Sequence, residues 1–345
     1  MDSAHGEEES GAPASAARTS RSLSPAVGFA IAAAVLLLGF FGTVLALNST
    51  VFSASGFVSS YMGALERHDV AAALAMPGVG EGATVEASPA LLRRDAMGQL
   101  QDASVVSDVD EGDGLHNVTV EYVLAAGSRG ATTFSVRHTG PHLGVFSSWE
   151  FASSPLGVLE VVPHNTVEFD VNGVTVVAEQ GADQANGFQV LVPGSYTLEY
   201  SSDFLEAEPA TLLLGSPATT ERFTLEVRAS AAFVDAVDEE LASYLDDCAT
   251  QQVLQPTGCP FGKSISNRIV GLPGWSMVTY PSVAIEPGET SGTWLVPPAA
   301  GSARLTADVM SLFDGTVSTL SEDVTFTVSY LVTFTADGGI TFTPR

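Results

Sequence analysis

Lysine is almost missing from this sequence: Lys263 is the only one in 345 residues, and arginine brings the basic count to just 13 against 40 acidic side chains. The resulting formal charge of −27 excludes a duplex nucleic-acid binder, which needs a basic surface to displace counterions. It equally excludes a polybasic grip on anionic lipid. Cysteine is scarce too, with only Cys248 and Cys259. Histidine stops at His164, so two thiolates alone are too few ligands for a zinc site in the C-terminal half. The C-x-x-C spacing of a redox pair is missing. Neither a G-x-S-x-G nucleophile elbow nor a glycine-rich phosphate loop occurs. Charged residues make up only 15% of the chain and apolar residues 45%, which excludes global disorder.

What the sequence does have is one long apolar run. Residues 1–24 are small and polar and read as a disordered tail. Residues 25–47 then carry no charge. A helix of that length reaches roughly 35 Å, enough to cross a hydrocarbon core of about 30 Å. Arg18 and Arg21 precede the run, and the next basic residue is Arg67. The positive-inside rule therefore orients the segment as a signal anchor, with a cytoplasmic N-terminus and the remainder outside the cell membrane. A cleaved secretory signal is the competing reading, because Val44-Leu45-Ala46 has small-residue character, although a signal core usually runs only 7–15 residues. Both readings export the rest of the chain. In an oxidising compartment Cys248 and Cys259 then read as one disulfide.

The exported part divides into three blocks. In the first, 52–154, Phe57, Val58, Tyr61, Met62 and Leu65 have helical spacing, and Asp69 can cap a second short helix. Ser88-Pro89 reads as a further helix start, with Leu91, Leu92 and Met97 on its apolar side. The period then changes to two, and four strands follow through Phe151 with turns at Asp113-Gly114 and at 127–130. The second block, 156–228, alternates throughout, and Asn172-Gly173 marks a two-residue hairpin. It predicts a small β-sandwich. The third, 230–345, starts with Ser230 as a cap and a stripe of Phe233, Val237, Leu241, Tyr244 and Leu245. Strands follow at 276–280, 292–296, 303–310 and 324–334, and a turn at Asp337-Gly338-Gly339 leads into a last strand. The predicted fold class is α+β: a transmembrane helix, then two helix-plus-curved-antiparallel-sheet domains flanking a β-sandwich.

The stretch from Phe57 to Leu74, including Tyr61, Leu65 and Asp69, resembles the first helices of the NTF2-like (cystatin-like cone) domains of exported single-pass actinobacterial proteins. The third block resembles a divergent copy. Val171-Asn172-Gly173-Val174 and Val192-Pro193-Gly194-Ser195-Tyr196 are similar to PEGA-like surface β-domains. This resemblance implies extracytoplasmic modules that host isomerases as well as pure binding domains, so the fold alone does not choose.

Candidate acid–base groups in the first block are Tyr61, Asp69, Asp95, Tyr122, His138 and His142, and Tyr61, Tyr122 and Trp149 would line an open cone. His138 and His142 flank Thr139-Gly140-Pro141 and read as turn residues. Asp108, Asp110, Glu111 and Asp113 suggest calcium, but Gly112 and Thr119 break the EF-hand frame. The acidic face of the 230s helix (Asp235, Asp238, Glu239, Glu240, Asp246, Asp247) reads as solvated, or as a strip for a basic partner or a cation. Asn48 and Asn117 head formal glycosylation sequons. The sequence thus predicts a membrane-anchored envelope protein with a non-catalytic binding or scaffolding role, no catalytic residues, no metal and no cofactor. Its partner would be a protein, a lipid or a wall polymer, with homodimerisation open. The alternative is a small-molecule carrier or isomerase-type enzyme using the first cone.

Overall fold

The computed structural model describes residues 25–80, 87–142, 144–335 and 339–345. The predicted tail, and Asp337 and Gly338 of the predicted last turn, lie outside them. The fold is α+β with mostly antiparallel sheets.

Helix α1 (Pro25–Asn48) is apolar around its whole circumference and long enough to cross a membrane. Its last carbonyls are satisfied locally, as helix ends require. Ser49 Oγ and Thr50 Oγ1 donate to the Ala46 carbonyl at 3.0 and 2.8 Å, and the Phe52 N–H donates to Leu47 at 2.9 Å. The chain then turns sharply into α2 (Ala54–Glu66). Ser53 caps it, accepting from the Gly56 N–H at 3.0 Å. A Cβ on Gly56 would lie 2.3 Å from the Thr50 carbonyl oxygen, so only glycine permits this crossing.

Val58, Tyr61, Met62 and Leu65, spaced i, i+3, i+4 and i+7, are buried on α2. They pack on a meander of β1 (Leu100–Gly112), β2 (Leu115–Leu124), β3 (Arg129–His142) and β4 (Phe146–Phe151). The alternation of Val118, Val120, Tyr122 and Leu124, with Phe134, Val136 and Phe151, supplies the buried face. Asp69 caps the short α3 (Val70–Leu74), accepting from the Ala72 N–H at 3.1 Å.

The predicted helix after Ser88 does not form. Two single 3₁₀ turns, Pro89–Leu91 and Arg94–Ala96, stand there instead. Ser88 is drawn onto a strand: its N–H donates to Gly187 and its carbonyl accepts from Gln189, both at 2.8 Å. Pairing with a distant strand outweighs local helix propensity, and Leu91 and Ala96 enter the core of the central sheets.

Those sheets are β7–β6–β9–β10–β12 and β8–β5–β11. The first comprises β6 (Glu168–Val171), β7 (Val174–Val177), β9 (Gly194–Ser201), β10 (Leu205–Leu214) and β12 (Arg228–Ala229). The second comprises β5 (Leu156–His164), β8 (Asn186–Leu191) and β11 (Thr220–Glu226), with β11 parallel to β5. Leu159, Val161, Phe188 and Val190 of one share a core with Phe169, Val171, Val176 and Leu198 of the other. The hairpin at Asn172-Gly173 forms as expected, both residues at positive φ (51° and 76°).

Helix α4 (Ala231–Ala249) is capped by Ser230 and buries Phe233, Val237, Leu241, Leu245 and Cys248. It covers a sheet of β13 (Arg268–Thr279), β14 (Glu286–Pro287), β15 (Thr293–Met310), β16 (Val317–Phe334) and β17 (Ile340–Pro344), in which β17 is an edge. The segments 292–296 and 303–310, expected as separate strands, are one strand, β15. Pro297 and Pro298 lack N–H donors, so the ladder slips by a bulge between Val296 and Ala299 and then resumes. The core of this unit is continuous with that of the central sheets. Phe204 stacks on Phe334 at 5.8 Å, and its carbonyl accepts from the Ser230 N–H.

Candidate functional site

The groups proposed for acid–base chemistry do not converge. Tyr61 is fully buried, and its hydroxyl donates to the Val192 carbonyl at 2.8 Å, with the Pro155 carbonyl at 3.2 Å. Burial and the neighbouring Tyr196 hold its phenol well above the usual range. Tyr122, also raised by burial, donates its hydroxyl proton to Thr132 Oγ1 at 2.8 Å. Thr132 in turn bonds the Gly215 carbonyl. Tyr61 thus bonds α2 directly to the central unit, and Tyr122 reaches it through Thr132. Asp69 is occupied as a helix cap. Asp95 is exposed in a 3₁₀ turn. His138 is not a turn residue: β3 runs through it, and its ring packs edge-on against Trp149 at 5.2 Å. His142 ends the same strand, one ladder continuing past the Gly140 irregularity because β4 pairs with it to the end. Phe134 and Phe151 lie 5.8 Å apart, and both contact Tyr61. These rings fill the space a pocket would need.

The acidic stretch before the β1–β2 turn is a surface network. Asp108 accepts from Ser55 Oγ at 2.6 Å and faces His116 Nδ1 at 2.7 Å. Partial burial pushes its pKa up, but hydrogen bonds from Ser55 and His116 outweigh this and hold it below the ordinary carboxylate value. Among the described residues, no three His, Cys, Asp or Glu side chains form a group that could hold a metal.

Two features escaped the sequence reading. The first is a clamp where α1 meets the first sheet. Asn48 Nδ2 donates to the Val145 carbonyl at 2.8 Å, and Asn48 Oδ1 accepts from the Ser147 N–H at 3.0 Å. Phe52 stacks on Phe146 at 4.4 Å, and Trp149 Nε1 donates to the Phe52 carbonyl at 2.8 Å. Aromatic rings with polar handles suit a membrane–water boundary. The amide of this sequon is thus occupied; so is that of Asn117, between Glu111 and Ser135. Only the run of Asn48 and Phe52 directly after the apolar segment hinted at the clamp.

The second feature is a groove of about 500 Å³ between α4 and β17, lined by Glu240, Leu241, Tyr244, Tyr330 and Phe342, with Gly258 on one wall. The Cys248–Cys259 disulfide forms as expected and fixes the loop carrying Gly258. Tyr244 donates its hydroxyl to the Gly258 carbonyl. Burial, and then the adjacent Tyr244, raise the pKa of Tyr330. This is a preformed aromatic trough with one carboxylate at its lip, a surface suited to binding. No protein-family model, curated protein or solved structure matches the chain.

Proposed function

We propose that this chain is a single-pass envelope protein whose N-terminus is cytoplasmic and whose remaining domains are extracytoplasmic, with a non-catalytic binding or scaffolding role. In this reading the first and third units are NTF2-like modules, the third a divergent copy of the first, and the central sheets are a PEGA-like β-sandwich between them. The carrying observation is the Asn48 clamp: it joins an apolar, membrane-length helix to a folded domain by two hydrogen bonds and an aromatic collar. A tether that only retained the protein at a membrane would need no such fixed geometry. The first unit's interior is occupied by Tyr61, Phe134 and Phe151, which favours binding over catalysis. An anionic exported surface fits a basic or cation-bridged partner of the envelope.

The test is cysteine labelling in intact cells with a membrane-impermeant maleimide. Ser216→Cys, in the central unit, is expected to label without lysis, and Ser3→Cys only after it. Labelling of Ser3→Cys in intact cells, or a mature protein beginning near residue 47, would overturn the anchored topology.

A further inference from the structure

The groove beside β17 has a backbone side as well as an aromatic one. The Arg345 N–H donates to Ser329 at 3.0 Å, and the Thr335 N–H donates to Gly339 at 2.8 Å. In an antiparallel ladder, opposed pairs alternate between bonded and non-bonded. The pairs Leu331–Thr343 and Thr333–Thr341 are therefore the bonded ones. It follows that Ile340 and Phe342 direct their N–H and C=O groups away from β16, along an edge that no other strand pairs among the described residues. Pro344 ends the edge, since it has no N–H to offer. Two residues of unpaired strand thus border the trough formed by Tyr244, Tyr330 and Phe342.

The helix wall beside this edge is of one charge sign, and Arg345, past the strand's end, faces Glu289 at 4.0 Å. Helix α4 carries six carboxylates and no basic residue, and among the described residues none of the six takes part in an ion pair. Glu240, Tyr244 and Asp247 follow one another at i, i+4 and i+7, so the two carboxylates flank the aromatic ring along one stripe. A second copy of the chain would bring the same charge to this edge, which like-charge repulsion opposes.

We infer that this groove binds a basic segment of another protein in extended conformation, added as a strand to the free edge of β17. Its backbone pairs with Ile340 and Phe342, alternate apolar side chains enter the Tyr244–Tyr330–Phe342 trough, and the intervening lysines or arginines meet Glu240 and Asp247. Main-chain pairing supplies affinity, and the pockets and charges select the sequence. The inference rests on the binding role proposed above, and its test is independent of membrane topology.

The experiment uses full-length protein in nanodiscs of zwitterionic lipid and a dye-labelled ten-residue peptide of alternating lysine and valine, read by fluorescence polarisation. Saturable binding is expected, weakened at least a hundredfold when glutamate replaces lysine. N-methylation of the four central amides, which blocks both strand edges, is expected to weaken it at least tenfold. Ile340→Pro removes the outward N–H at the first strand residue and trims a side chain packed against the core; it is expected to weaken binding at least tenfold, whereas Ile340→Ala, which trims the same side chain but keeps the N–H, is expected to weaken it less than threefold. Glu240→Lys is expected to cost tenfold. Glu208→Lys, an equal charge change on exposed β10, is expected to cost less than threefold. The inference is overturned if the lysine peptide does not bind, if N-methylation is without effect, or if Glu208→Lys matches Glu240→Lys. It is also overturned if sedimentation shows a dimer that Ile340→Pro dissolves, which would assign the edge to a second copy.

Discussion

The hydroxyl of Tyr61, on α2, lies 2.8 Å from the carbonyl oxygen of Val192, 131 positions later in the chain. This bond closes the interface between α2 and the central unit, and both partners are excluded from water. Tyr61→Phe keeps the ring packed against Phe134 and Phe151 but leaves a buried carbonyl without its donor. The expected loss is about 1–3 kcal/mol, checked by urea unfolding. Tyr61→Ala removes the ring as well and is expected to cost about 3–5 kcal/mol.

The Asn48 clamp predicts a mechanical change more than a loss of stability. Asn48→Ala removes one donor and one acceptor at a partly exposed site, worth about 1 kcal/mol each. The Ser147 N–H, which donates to Asn48 Oδ1, is expected to exchange with deuterium about tenfold faster, while the amides of β2 stay protected. Unchanged exchange at Ser147 would mean that the helix and the sheet are not coupled there.

What could be read from the sequence was local. The apolar run, the Ser230 cap with its stripe, the Asn172-Gly173 turn and the nearby cysteines each declare themselves within one short contiguous stretch of chain, where propensity and periodicity act. The features that shape the molecule as a whole are distant pairings. Tyr61 looked like a catalytic phenol because its partner carbonyls lie far along the chain. Ser88-Pro89 carried a sound helix-start pattern, yet the edge of β8 captured it. Asn48 showed only as the head of a formal sequon because Val145 and Ser147 are nearly a hundred residues away. Backbone carbonyls have no side-chain signature, so a site built on them leaves little trace in a sequence.

Asp108 makes the surface network acid-sensitive. Its folded pKa lies below the ordinary value of 3.8. The stabilisation is therefore present above that value and is lost as pH falls through the lower, folded one. Much of the group is open to solvent, so the effect is expected to stay below ~1 kcal/mol. Melting curves between pH 5 and pH 2 are expected to fall more steeply for the wild type than for Asp108→Asn, and to converge at the acid end. Parallel curves would remove Asp108 from the account.

The Cys248–Cys259 disulfide closes a short loop, for which the chain-entropy argument gives at most ~3 kcal/mol. Cys248→Ser with Cys259→Ser is expected to lose up to that amount in chemical unfolding. It is also expected to speed deuterium exchange over 255–263, because the Gly258 wall would then be held by hydrogen bonds from Tyr244 and between Gln251 and Thr257 rather than by a covalent link. An exchange pattern unchanged in that loop would show that the disulfide does not brace the groove.

Two tryptophans of the C-terminal unit make an internal control for the cost of a buried polar atom. Trp294 is completely buried, and its Nε1 has no hydrogen-bond partner among the described residues. Trp275 is nearly as buried, but its Nε1 donates to the Val253 carbonyl at 2.8 Å. Trp→Phe removes similar apolar contact at both positions. At Trp294 it also removes an unsatisfied donor, a gain of about 1–3 kcal/mol that offsets the lost packing, whereas at Trp275 it removes a made hydrogen bond to the carbonyl of the exposed Val253. Trp294→Phe is therefore expected to destabilise by at least ~1 kcal/mol less than Trp275→Phe in parallel urea titrations. The reverse order would mean that the Trp294 indole N–H is paired in solution, with a water or a neighbouring group.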